Sequence, residues 1–120
     1  MNVYGKEKEI ILPVAGMVGT LYVGSDRYTV ICTSVKSNKK CSVIFAYDID
    51  ERNLNNYITK DKDGLEYARK DYFDIIKNSK DTIEYSLRKN GVWYQVGQPM
   101  APGCCGINFG YAQPYLDPSF

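Results

Sequence analysis

Residues 82–96 read TIEYSLRKNGVWYQV, two alternating runs joined by Asn90-Gly91. In the first arm Ile83, Tyr85 and Leu87 recur at every second position, the period of a half-buried strand. Asn-Gly is the pair that best populates a type I′ turn, where both central residues take positive φ, so the stretch predicts a β-hairpin with a two-residue loop. That loop sets Lys89 opposite Val92, Arg88 opposite Trp93, Leu87 opposite Tyr94, Ser86 opposite Gln95 and Tyr85 opposite Val96. Tyr85, Leu87, Tyr94 and Val96 then share an apolar face, and Ser86, Arg88, Trp93 and Gln95 a mixed one.

The same grammar extends outward from the hairpin. Residues 28–35 (YTVICTSV) and 41–47 (CSVIFAY) are β-branched and aromatic runs joined by the polar stretch 36–40 (KSNKK), which predicts a second hairpin. Residues 20–23 read as a short strand ending at Gly24-Ser25-Asp26, whose small and polar residues favour a turn. Residues 50–70 read as a loop with at most a short helix. Residues 72–76 read as a strand, 78–81 as a turn, 98–106 (QPMAPGCCG) as a Pro/Gly-rich loop and 107–111 as the last strand. The fold expected is mainly β: a small antiparallel sheet or SH3-like barrel built from hairpins, with at most one or two short helices. A chain of 120 residues fits one domain, 1–120, large enough to bury a core.

Composition narrows the function. The hydrophobic share of 44% and charged share of 24% are those of a globular protein. A net charge of +1 supplies no field for a general nucleic-acid binder, so no long nucleic acid is expected as partner. The N-terminal stretch MNVYGKEKEI is charged where a signal peptide needs an apolar centre, and no apolar run is long enough to span a membrane. A cytoplasmic location follows as the expectation. In that setting Cys32, Cys41, Cys104 and Cys105 are read as thiols. Eleven tyrosines against four phenylalanines and one tryptophan favour half-buried surfaces and interfaces.

Histidine is absent from the chain, which closes the imidazole-based triads and the His-containing zinc sites. An all-cysteine zinc site lacks the CxxC spacing. Asp48 and Asp50, with Glu51 following, could supply paired carboxylates for metal or acid/base work, or simply solvate a turn. Binding without catalysis, and without a cofactor or metal, is therefore expected. Arg88 facing Trp93 would suit a purine and its phosphate, or would stiffen the hairpin as a cross-strand cation–π contact. Gly16-Met17 and residues 24–27 could offer backbone N–H groups and a positive charge to an anion, or be ordinary turn chemistry. The aromatic end, with Tyr111 and Tyr115, must dock on its own sheet or across a subunit boundary.

Gly16-Met17, Ser25-Asp26-Arg27, residues 87–93 (LRKNGVW) and the terminal YLDPSF together resemble small phage-encoded proteins, specifically the first class of Thoeris anti-defence proteins. The resemblance runs from Gly16 to Phe120 and implies a sponge for a nucleotide second messenger, acting in the cytoplasm of an infected bacterium. It implies capture of a cyclic ADP-ribose isomer without cleavage, in pockets between the protomers of a dimer-based homo-oligomer that could reach a hexamer. Some members also hold cyclic oligonucleotides, the signals of CBASS immunity. Carried onto this chain, the resemblance implies ligand or pocket contacts at Met17, Arg27, Arg88 and Asn90; with the residues' own reading, the expected ligand-binding set is Gly16, Met17, Arg27, Arg88, Asn90, Trp93, Tyr111 and Tyr115. One departure stands out: Ala112 occupies a position where the pattern has an arginine, so a phosphate contact is lost or moves to Arg27 or Arg69. The competing expectation is an SH3-like adaptor or structural phage protein that binds a protein partner through its tyrosine-rich face.

Overall fold

A computed structural model of the chain describes residues 10–100 and 104–114. Strands β1 (Val18–Val23), β2 (Asp26–Ser37) and β3 (Lys40–Phe45) form a meander. An insert follows, made of α1 (Leu54–Tyr57), β4 (Ile58–Lys60), β5 (Glu66–Ala68) and α2 (Lys70–Ile76). The chain then completes the sheet with β6 (Ile83–Leu87), β7 (Trp93–Gln95) and β8 (Cys104–Phe109). The six strands close as an antiparallel barrel in the order β1-β2-β3-β6-β7-β8, and β4-β5 is a separate two-stranded sheet. This is the β-rich barrel with two short helices that the hairpin pattern predicts. Among the described residues no helix is long and apolar enough to cross a membrane.

Two cores explain the sequence pattern. Inside the barrel lie Met17, Leu21, Val30, Cys32, Cys41, Val43, Tyr85, Trp93, Ile107 and Phe109. Val18 and Ile31 point the other way and are covered by the insert, with Ala46, Ile49, Ile58, Ala68 and Ala112. Val30 and Ile31 are consecutive and both fully buried. Residues 29–32 of the run YTVICTSV are all buried, because this part of the barrel wall is covered on both faces.

The seam between β1 and β8 depends on a glycine. Gly19 lies opposite Phe109, and a Cβ there would come within 2.8 Å of the Phe109 ring and 3.1 Å of the Asn108 carbonyl. Further along, Leu21 pairs Ile107 and Val23 pairs Cys104, so Cys105 and Gly106 together oppose Tyr22 as a β-bulge. Cys105 takes φ 73 at that bulge. It is disulfide-bonded, which corrects the reading of all four cysteines as thiols; Cys32 and Cys41 are free and buried.

The structure corrects the hairpin register by one residue. Leu87 pairs Trp93, Ser86 pairs Tyr94 and Tyr85 pairs Gln95. The loop has three residues, Lys89, Asn90 and Gly91, closed by the Gly91 N–H to the Arg88 carbonyl (2.9 Å) and the Arg88 N–H to the Val92 carbonyl (3.0 Å). Gly91 has φ 84, and Cys105 is the non-glycine residue with positive φ among the described residues, so Asn90 is not left-handed. The turn is therefore the type with one left-handed residue at its end, which Gly91 alone satisfies. Asn90 instead braces the loop, accepting from the Val92 N–H at 3.1 Å and donating to the Tyr94 hydroxyl at 3.3 Å.

Residues 72–76 are a second correction: they belong to helix α2, not to a strand. Tyr72, Phe73 and Ile76 pack on the second core, a spacing that marks one helix face. Lys70–Asp74 and Asp74–Lys77 ion pairs at 3.1 and 3.3 Å bridge successive turns. Residues 58–68, read as loop, form the β4–β5 hairpin. Asp61 builds its turn by accepting from the N–H groups of Asp63 (2.8 Å) and Leu65 (3.0 Å).

Candidate ligand site

The register shift moves Trp93 from a surface facing Arg88 into the barrel, where it is 1% exposed. Its ring meets Phe109 edge-on, with centroids 5.6 Å apart. Arg88 stays on the outer face, its guanidinium carbon 5.7 Å from the Tyr94 ring centre. Its side chain donates to Ser86 Oγ and to the Gln95 carbonyl, both at 2.9 Å. Arg88 is therefore engaged in bracing the hairpin. Trp93 and Arg88 do not form one surface.

Trp93 lines a cavity of about 120 Å³ with Ile10, Ile11, Gly91, Asn108, Phe109 and Tyr111. Its indole Nε1 is buried without a hydrogen-bond partner among the described residues, an unusual state for a donor so deeply placed. The Tyr111 hydroxyl lies 2.6 Å from that of Tyr22, and the Arg27 guanidinium sits 5.8 Å from the centre of the Tyr22 ring. Arg27 and Tyr22 face each other across the β1–β2 hairpin. Burial, reinforced by the bond with Tyr22, pushes the Tyr111 phenol up to about 12, while an Asn108 hydrogen bond and the Arg27 charge act against the rise. Tyr111 is thus a neutral hydroxyl at neutral pH, able to donate or accept.

The structure thus brings Trp93 and Tyr111 to one cavity, places Asn90 beside it through Gly91, and connects Arg27 to it through Tyr22. Gly16 and Met17 stand apart. The Gly16 N–H donates to the Cys32 carbonyl and its own carbonyl accepts from Ala68, each at 2.8 Å, while Met17 is in the barrel core. These two residues fasten the insert to the barrel. Tyr115 lies outside the described residues. Sequence reasoning did not single out Tyr22 or Asn108. Their roles depend on β8 lying against β1, a contact between opposite ends of the chain.

Ala112 has a physical account. It is buried in the second core, and its N–H donates to Glu66 Oε1 at 3.0 Å. A long basic side chain would have no room here in this packing. Asp50, a candidate for acid/base work, accepts from the Arg52 N–H (2.9 Å) and the Asn53 N–H (3.3 Å). Its carboxyl is held below the usual carboxylate range by the Arg52 guanidinium. It organises a turn. No family model matches the chain, and neither a curated protein nor a solved structure does.

Proposed function

We propose that the protein is a phage anti-defence sponge that captures a nucleotide-derived second messenger, a cyclic ADP-ribose isomer by the resemblance of its motifs, and releases it unaltered. The observation that supports this reading is that two candidate ligand residues from separate parts of the chain, Trp93 and Tyr111, meet at one cavity. Trp93 and Tyr111 line it, the Asn90-Gly91 turn rims it, and Arg27 stands one tyrosine away. A purine asks for aromatic walls and hydrogen-bonding edges, which Trp93, Phe109 and Asn108 supply, and a phosphate asks for a guanidinium. The cavity of about 120 Å³ admits one ring system, so a ligand with two phosphates needs a second wall, and in this proposal a second protomer of a cytoplasmic homo-oligomer provides it.

One observation favours an adaptor role instead. Tyr47 is 61% exposed and packs edge-on against Tyr28 and Phe45, with centroids 5.3 and 5.6 Å away. Such an aromatic patch suits a protein partner.

Incubation of the protein with a panel of cyclic ADP-ribose isomers and cyclic oligonucleotides, removal of unbound ligand and release by heat separates the readings. Recovery of intact ligand, reduced at least about tenfold by Arg27→Gln or Tyr111→Phe, is the expected result. Chemically altered ligand would make the protein an enzyme, and no recovery from any compound would leave the adaptor. Trp93→Ala is unsuited to this test, because truncating so buried a ring costs about 3–5 kcal/mol of fold stability.

A further inference from the structure

On the insert, remote in sequence from the Trp93 cavity, two adjoining cavities of about 540 and 450 Å³ meet at Thr59 and Arg69. Leu54, Asn55, Ile58, Lys60 and Glu66 line one arm, and Lys70, Asp71 and Asp74 the other. Both arms are open to solvent, so together they form a shallow groove.

The charges of this groove are unevenly engaged. Lys60 faces Glu66 at 3.8 Å, and Glu66 also accepts from the Ala112 N–H. Lys70 and Lys77 both hold Asp74, at 3.1 and 3.3 Å. Arg69, by contrast, has no ion pair or side-chain hydrogen bond among the described residues, although its backbone is pinned on both sides. Its N–H donates to the Tyr57 carbonyl at 2.7 Å, and its own carbonyl accepts from Phe73 at 2.8 Å. The backbone is thus fixed while the exposed guanidinium stays available to a ligand.

We propose that this groove is a second binding site, for a compact ligand carrying one phosphate group. The Arg69 guanidinium would take two phosphate oxygens side by side, and the Thr59 hydroxyl and Asn55 amide bring further donors to the same place. A tetrahedral oxyanion with several acceptor oxygens uses these donors more fully than a carboxylate does. Asp71 and Asp74 at the far end of the groove oppose a polyanion, which limits the ligand to a single phosphate. Leu54 and Ile58 give its uncharged body an apolar wall. The proposal does not depend on the sponge reading, since none of these residues touches the Trp93 cavity.

The test is a titration of the protein with inorganic phosphate, with adenosine 5′-monophosphate and with acetate, followed by backbone amide NMR shifts. Saturable shifts at Thr59, Arg69 and Lys70 with both phosphates, tighter for the monophosphate and absent with acetate, are expected. Arg69→Gln should weaken binding at least about tenfold, Thr59→Val about threefold, and Arg27→Gln should leave it unchanged. Circular dichroism reports whether each variant folds. Three outcomes each overturn the proposal: no saturable shift up to about 10 mM phosphate ligand, binding indifferent to Arg69→Gln and Thr59→Val, or acetate acting as strongly as phosphate. A protein that binds the monophosphate here while ignoring every cyclic signal would retain this site and lose the sponge.

Discussion

Replacing Gly19 by alanine tests the closure of the barrel. The new methyl would lie 2.8 Å from Phe109 Cδ1, 3.0 Å from Ile107 Cγ2 and 3.1 Å from the Asn108 carbonyl, all on the neighbouring strand β8. Gly19 is not among the positive-φ glycines, so no left-handed backbone enters the cost. Alanine recovers roughly 0.5–1 kcal/mol of conformational entropy over glycine in a strand. Overpacking a close-packed site costs about 1–3 kcal/mol, and because a backbone carbonyl cannot rotate aside as a side chain can, the upper half of that range applies. The net loss is then about 1–2 kcal/mol, which for 120 residues lowers Tm by roughly 4–8 °C. Trp93, the single tryptophan, touches Phe109 and reports the transition by its fluorescence during thermal or urea unfolding. Phe109→Val removes the δ carbon nearest the new methyl, so the double variant should be about 1 kcal/mol more stable than the sum of the two single losses. Wild-type stability in Gly19→Ala, or strict additivity in the double variant, would refute the tight seam.

Two further outcomes follow from buried polar groups. Thr29 Oγ1 is buried without a partner among the described residues, so Thr29→Val should raise stability by about 1 kcal/mol. Thr20→Val, on the facing strand, should lower it by a similar amount, because Thr20 Oγ1 donates to the Tyr111 carbonyl at 2.9 Å; urea midpoints measure both. Tyr85 and Tyr111 are pushed up to about 12, chiefly by burial. A phenol whose folded value exceeds its unfolded one contributes stability that is complete below the unfolded value near 10 and lost as pH rises toward 12. Tyrosinate absorbance should therefore show late titration, with unfolding confined to the range above about pH 10; burial also raises Tyr67 and Tyr72, so a Tyr85→Phe, Tyr111→Phe variant should lose part of the late absorbance, and an unchanged late amplitude would contradict the assignment.

The strands were legible because period and turn chemistry are local. Asn90-Gly91 announces a hairpin whether the loop has two residues or three; the choice depends on whether Asn90 or only Gly91 turns left-handed, and the sequence is compatible with both. That single residue decides which side of the sheet Trp93 occupies, so an error invisible in the strand pattern inverted the candidate site. The insert was misread for a different reason. Tyr72, Phe73, Ile75 and Ile76 have high strand propensity, but the second core lies on one side of the segment only, and a helix presents Tyr72, Phe73 and Ile76 to it while leaving Ile75 outside. Tertiary burial overrode propensity there. The meeting of Tyr22 and Asn108 with Tyr111 required the barrel to close, a fact about pairing between chain ends that no local window contains.

Trp93 couples the fold to the proposed capture. Its ring is among the largest fully buried side chains, while its indole N–H, closed off from solvent, has no acceptor among the described residues, a state that costs about 1–3 kcal/mol. The ring also forms part of the wall of the adjoining cavity. The cavity thus gains an aromatic wall from Trp93, while the indole N–H stays beyond the reach of anything that enters without rearranging the barrel. The small volume of the cavity then explains why capture of a whole signalling nucleotide would have to be completed outside it, along the line from Tyr111 through Tyr22 to Arg27, where a second surface can close over the phosphates.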